Sequence, residues 1–141
     1  MFYYIEPEVA GSLGESSIID TTFHPPKVSK LHYQFDGWLG DDLLETFPCY
    51  IVTEQMKKKI ESNNLSGAKF DSVIISASDH FQEMYPSKIF PQFFWLKVDG
   101  SAGKSDFGIA KDHRLVISKE ALDVIKQLNI DNSDIGEYKR L

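Results

Sequence analysis

The chain is short of cysteine, of long apolar runs and of positive charge. Its one cysteine, Cys49, among 141 residues has no intrachain disulfide partner and cannot build a cysteine zinc cage, which suits a reducing compartment. Nowhere do about 18 apolar residues follow one another, and Met1-Phe2-Tyr3-Tyr4-Ile5-Glu6 lacks the basic start and apolar run of a signal peptide. The expectation is a soluble, unexported, cytoplasmic protein without membrane contact. The 15 Lys+Arg stand against 21 Asp+Glu, a net charge of −6 and a pI of about 5.1, which disfavours direct nucleic-acid binding through bulk positive charge. What the chain does have is apolar and aromatic side chains, 42% and 13% of residues, enough at this length for a single globular domain over 1–141.

The shortage of cations is local. Residues 1–54 carry nine acids and only Lys27 and Lys30, a net of −7, whereas 55–141 stand at +1. Between Lys30 and Lys57 there is no cation, and Asp36, Asp41, Asp42, Glu45 and Glu54 alternate with Phe35, Trp38, Leu39, Leu43, Leu44, Phe47 and Tyr50. A solvated acidic surface over a core segment explains such a stretch structurally. As a functional surface it would receive a basic partner, with complementary potential steering encounter and an aromatic anchor such as Trp38 adding affinity once desolvated. Asp36, Trp38, Asp41, Asp42 and Glu45 are therefore the candidate partner-binding residues. Charge reversal at Asp41 and Asp42 is expected to slow association while sparing the fold.

Periodicity predicts strands and two principal helices. Phe2–Glu6 reads as a strand ended by a turn at Gly11-Ser12-Leu13-Gly14, and His24-Pro25-Pro26 as a stiff connector. Leu31, Tyr33 and Phe35 alternate with His32 and Gln34 as in a half-buried strand. Tyr50-Ile51-Val52 runs into Thr53, a cap for a helix that turns Met56 and Ile60 inward. Phe70, Val73, Ile74 and Ile75 read as one strand before a short helix at Ser78, and Phe93–Val98 as the strongest strand of all. Leu115-Val116-Ile117 leads into Ser118 and a helix with Ala121, Leu122, Ile125 and Leu128 on one face. This second unit matches the first at an offset of 65, a weak βα similarity between 50–65 and 115–130 that also aligns Ile60 with Ile125 and Leu65 with Ile130. The fold class expected is α+β, one mixed, mainly antiparallel sheet with the two helices packed on it.

Apparent catalytic motifs fail in context. Gly103-Lys104-Ser105 lacks the first glycine of a phosphate loop, since position 98 is Val, and reads as a glycine-rich hairpin loop. Asp106-Phe107-Gly108 spells a kinase signature without the chain length or partner motifs of a kinase. Asp131, Ser133 and Gly136 would need a calcium-binding glutamate beyond Leu141. His24, His32, His80 and His113 show no metal-ligand spacing, and Cys49 reads as a small buried hydrophobe. No catalytic residue, metal or cofactor is expected.

The stretch Phe35-Asp36-Gly37-Trp38-Leu39-Gly40-Asp41-Asp42-Leu43-Leu44-Glu45, then Phe47-Pro48-Cys49-Tyr50-Ile51-Val52-Thr53-Glu54 and the later Val116-Ile117-Ser118 helix start, resembles small immunity proteins of bacterial polymorphic toxin systems. The resemblance covers roughly residues 31 to 130. It implies a cytoplasmic, non-enzymatic protein that neutralises a cognate toxin domain by direct binding. Basic nucleases are common among such toxins and would suit the acidic N-terminal part. No family binding residue transfers individually, so the five candidates rest on charge and hydropathy. Two readings compete: a small enzyme or ligand-binding domain with a site assembled from His32, His80, His113 and Asp106, and a self-assembling scaffold using the aromatics of 85–95.

Overall fold

Apolar and β-branched runs become strands, and hydroxyl side chains begin the helices. In the computed structural model, which describes residues 1–139, strands β1 (Phe2–Glu6), β2 (Gly11–Leu13), β3 (Ile18–Asp20), β4 (Lys27–Lys30), β5 (His32–Phe35), β6 (Leu43–Thr46) and β7 (Cys49–Thr53) precede helix α1 (Glu54–Ser62). Then come β8 (Ala68–Asp71), β9 (Ile74–Ala77), α2 (Asp79–Met84), β10 (Phe93–Val98), β11 (Phe107–Ile109), β12 (Leu115–Ser118), α3 (Lys119–Ile125) and β13 (Asp134–Glu137). The class is α+β, with α1 and α3 the longer helices.

The strands form several sheets instead of the one expected. A first sheet runs β11-β12-β1-β13 and a second β6-β7-β10-β8, both antiparallel throughout. A third runs β2-β5-β9, with β5 and β9 parallel, and β3-β4 is a separate hairpin. Gly11–Leu13 is strand rather than turn because its backbone pairs with Tyr33–Phe35. The single strand expected over 70–75 is two, since β8 pairs with β10 and β9 crosses to β5. The loop containing Gly103 joins strands of different sheets and is not a hairpin. In each case a distant partner, invisible to local pattern, decides the outcome.

The second sheet is buried on both faces. Leu43, Tyr50, Val52 and Leu96 join one core with Ile5, Phe107, Leu115 and Ile117 of the first sheet and Met56, Ile60, Ala121 and Ile125 of the helices. Leu44, Ile51, Phe93 and Trp95 point the other way, into a second core with Tyr33 and Phe35 of β5 and Phe81 of α2. This is why all five residues of β7 are buried.

The offset of 65 has a counterpart in the hydrogen bonds. The Thr53 hydroxyl caps α1 by accepting from the Met56 N–H at 3.3 Å, and the Ser118 hydroxyl caps α3 by accepting from Ala121 at 3.0 Å. Each hydroxyl also donates to a carboxylate at the start of its hairpin, Thr53 to Asp42 at 2.7 Å and Ser118 to Asp106 at 2.6 Å. The backbone N–H groups of Thr53 and Ser118 donate to the carbonyls of the same two acids. Thr53 stands opposite Phe93 and Ser118 opposite Phe2, so each cap faces the first residue of a strand distant in sequence. The second oxygen of each acid then crosses to the other unit: Asp42 accepts from Asn129, behind α3, and Asp106 from Ser66, behind α1.

Candidate functional site

The structure divides the acidic stretch between interior and surface. Asp36 is exposed just beyond β5. Asp41 is 0% exposed, its oxygens accepting the Asn132 backbone N–H at 2.8 Å and the Asn132 side-chain amide at 2.9 Å. Asp42 is half-buried and occupied by Thr53 and Asn129. Glu8, also buried, accepts from the N–H groups of Leu39 at 2.7 Å and Asp41 at 3.4 Å. Burial raises the Glu8 carboxyl above its ordinary range despite those two backbone donors, and the Asp41 charge pushes the same way. Asp41 and Asp42 are thus internal acceptors for loop amides that have no strand partner. Charge reversal there removes these acceptors and, at Asp41, buries an unpaired cation, so it is expected to disturb the fold rather than spare it.

Trp38 is held on a packed base and remains half-buried. Its Nε1–H donates to the Asp41 carbonyl at 3.0 Å, and its ring lies 5.9 Å from Phe90, 5.6 Å from Phe93 and 6.0 Å from Phe35, centre to centre. The ring forms one wall of an open groove of about 500 Å³ shared with Asp42, Glu54, Lys58, Pro91 and Gln92. Its sequence neighbour Leu39 is 71% exposed, and Ile89, next to Phe90, is 88% exposed. The fold also supplies a cation that the local sequence lacks, the Lys88 ammonium 4.8 Å from the Trp38 ring centre, while on α1 Lys58 pairs with Glu54 one turn away at 2.9 Å. Sequence reasoning missed Ile89 and Lys88, although an isoleucine between Pro86 and Pro91 in a helix-free segment is a legible sign of an exposed apolar side chain.

Glu45 takes part in a different arrangement. It lines a small, partly open pocket of about 170 Å³ together with Glu6, Tyr50, Phe47, His113 and Arg114. Burial, and secondly the Glu6 charge, push its carboxyl up to about 7. Burial likewise raises the neighbouring Tyr50 phenol, so that it stays protonated. Arg114 is bound to Asp112 at 2.7 Å and stacks 3.6 Å from the Tyr4 ring centre. A carboxyl poised near neutrality in such a space can accept or release a proton or hold a cation.

The histidines of the enzymatic reading do not converge. His32 is buried, with Nδ1 accepting from Ser16 at 3.1 Å and Nε2 against the Ser76 hydroxyl at 2.6 Å, which fixes the Nε2–H tautomer. His80 is exposed on α2, and only His24 and His113 meet, with ring centres 5.4 Å apart. Asp106 is an internal acceptor for Ser118 and Ser66. The Cys49 thiol is buried and pushed up to about 12 by burial, so it is a poor nucleophile.

Comparison with protein-family models and with curated protein sequences finds no match for this chain. No helix among the described residues is long and apolar enough to cross a membrane.

Proposed function

We propose that this protein is a binding module of the immunity type that neutralises a cognate bacterial toxin domain in the cytoplasm by direct contact, without catalysis. The observation that carries the reading is the Trp38 groove, an indole wall stacked on Phe90, with the chain neighbours of those two rings, Leu39 and Ile89, exposed. Large apolar side chains held in water beside a rigid indole match the anchor-and-rim anatomy of protein interfaces. Of the five candidates, Trp38 and Asp42 line this groove, Asp41 and Asp42 hold its loop in place, and Asp36 is exposed two residues before Trp38 in the chain. The toxin identity rests on the resemblance of 31–130 to immunity proteins.

Capture of partners from the host's lysate and secretome, followed by titration of the captured protein, tests the proposal. Leu39→Glu combined with Ile89→Glu should weaken binding at least tenfold while leaving the melting temperature unchanged, because both side chains lie in solvent. A captured partner indifferent to both changes would remove this surface from the interface.

The Glu45 pocket favours a second reading, a small-ligand or proton-transfer site. An NMR fragment screen that finds compounds shifting the Glu45 carboxyl, and losing affinity in Glu45→Gln, would support it.

A further inference from the structure

The two four-stranded sheets carry matching rows of residues with different fates. Leu44, Ile51 and Trp95 stand side by side on the second sheet, as Gly108, Val116 and Tyr4 do on the first. The first row is sealed in the core beneath β5 and α2. Over Tyr4 there is instead an open groove of about 740 Å³, walled by Ser101, Ala102, Lys111, Tyr138 and Lys139. The wall at Ala102 rests directly on the sheet, since a Cβ at Gly108 would lie 2.4 Å from the Ala102 nitrogen. The same loop leans on Tyr138, whose ring would be 3.2 Å from a Cβ at Gly103.

The lining of this groove carries two lysines, Lys111 and Lys139, and one acid, Asp112, whose carboxylate is held by Arg114 at 2.7 Å. Seven cations elsewhere or at its margin, among them Arg114, are engaged in ion pairs. Lys111 and Lys139 on the walls, and Lys104 in the adjoining loop, are exposed and, like Lys27, Lys30, Lys59 and Lys88 elsewhere, make no ion pair among the described residues. Beside them the Tyr4 and Tyr138 rings form an aromatic corner, 5.1 Å apart at 82°. Three unpaired ammonium groups beside aromatic rings suit a ligand that combines several negative charges with a flat ring. A net charge of −6 repels a long polyanion but acts weakly over the span of a small one, because screening confines the local field to about 8 Å at physiological salt.

We propose that this groove binds a nucleoside polyphosphate, with the base against the Tyr4–Tyr138 corner and the phosphates on Lys104, Lys111 and Lys139. The site lies on a different sheet from the Trp38 groove and does not depend on the immunity reading.

Calorimetric titration at low ionic strength with ATP, tripolyphosphate and adenosine tests it. ATP should bind saturably and at least fivefold more tightly than either fragment, and Lys111→Glu with Lys139→Glu should cost at least tenfold in ATP affinity at an unchanged melting temperature. Tyr138→Ala should erase the preference for ATP over tripolyphosphate. Absence of saturable ATP binding would overturn the proposal, as would ATP affinity indifferent to the lysine changes. Equal binding of tripolyphosphate would overturn it too, by showing that the ring is not read.

Discussion

Asp41 and Glu45 are both acids in an apolar neighbourhood, yet the fold treats them in opposite ways. Asp41 has two donors from Asn132 and no exposure. Asp41→Ala leaves those donors unpaired and should destabilise the protein by about 2–4 kcal/mol in urea denaturation, while Asp41→Lys, which buries an unpaired cation, should cost more. Glu45 has a folded-state value of about 7 against an ordinary 4.5, so between those values the folded chain holds a proton that the unfolded chain has lost. Its contribution to stability is therefore fully present below about 4.5, declines as pH rises through the window and is gone above 7. Glu45→Gln should gain about 1–3 kcal/mol at pH 8 and little at pH 4, measured as paired denaturation curves. A gain of equal size at both pH values would mean that titration is not its source.

At the level of elements, the helix starts were legible because capping is local. A hydroxyl three residues ahead of the N–H it accepts needs no distant partner, and Thr53, Ser78 and Ser118 are all caps in the structure. What could not be read is that Thr53 and Ser118 also donate to Asp42 and Asp106, which lie across a hairpin. Thr53→Ala and Ser118→Ala should each cost about 1–2 kcal/mol, slightly more than a cap alone, as both bonds are lost together. The double cycle of Thr53→Ala with Asp42→Ala should show clear non-additivity in thermal or urea unfolding, whereas simple addition would mean that the hydroxyl bond contributes nothing. Short edge strands were the elements most often missed. β2, β6, β11 and β13 have three or four residues each and owe their conformation to the strand beside them.

At the scale of the whole molecule, the second sheet couples the two cores, since alternate residues of β7 and β10 serve each of them. Unfolding should accordingly be one transition. Far-UV circular dichroism and the fluorescence of Trp38 and Trp95, both in the second core, should give coincident curves, and a separate early fluorescence transition would show that the cores melt independently. Charge is reorganised at the same scale. The stretch without cations in sequence acquires Lys88 in space, and the near-neutral C-terminal part contributes the lysines of the Tyr4 groove.

The amino-acid sequence by itself determined the α+β class, the period of the central strands, the caps at Thr53 and Ser118 and the short helix that starts at Ser78. These depend on composition and on contacts within a few residues, where backbone sterics and local hydrogen bonds dominate. Only the tertiary structure decided the division of strands among sheets, the burial of Asp41, the confinement of Glu45 with Glu6 and the groove beside Tyr4 and Tyr138. Each of those depends on which distant segment supplies a donor, a charge or a covering surface, and a carboxylate's role turns on that partner rather than on its neighbours in the chain.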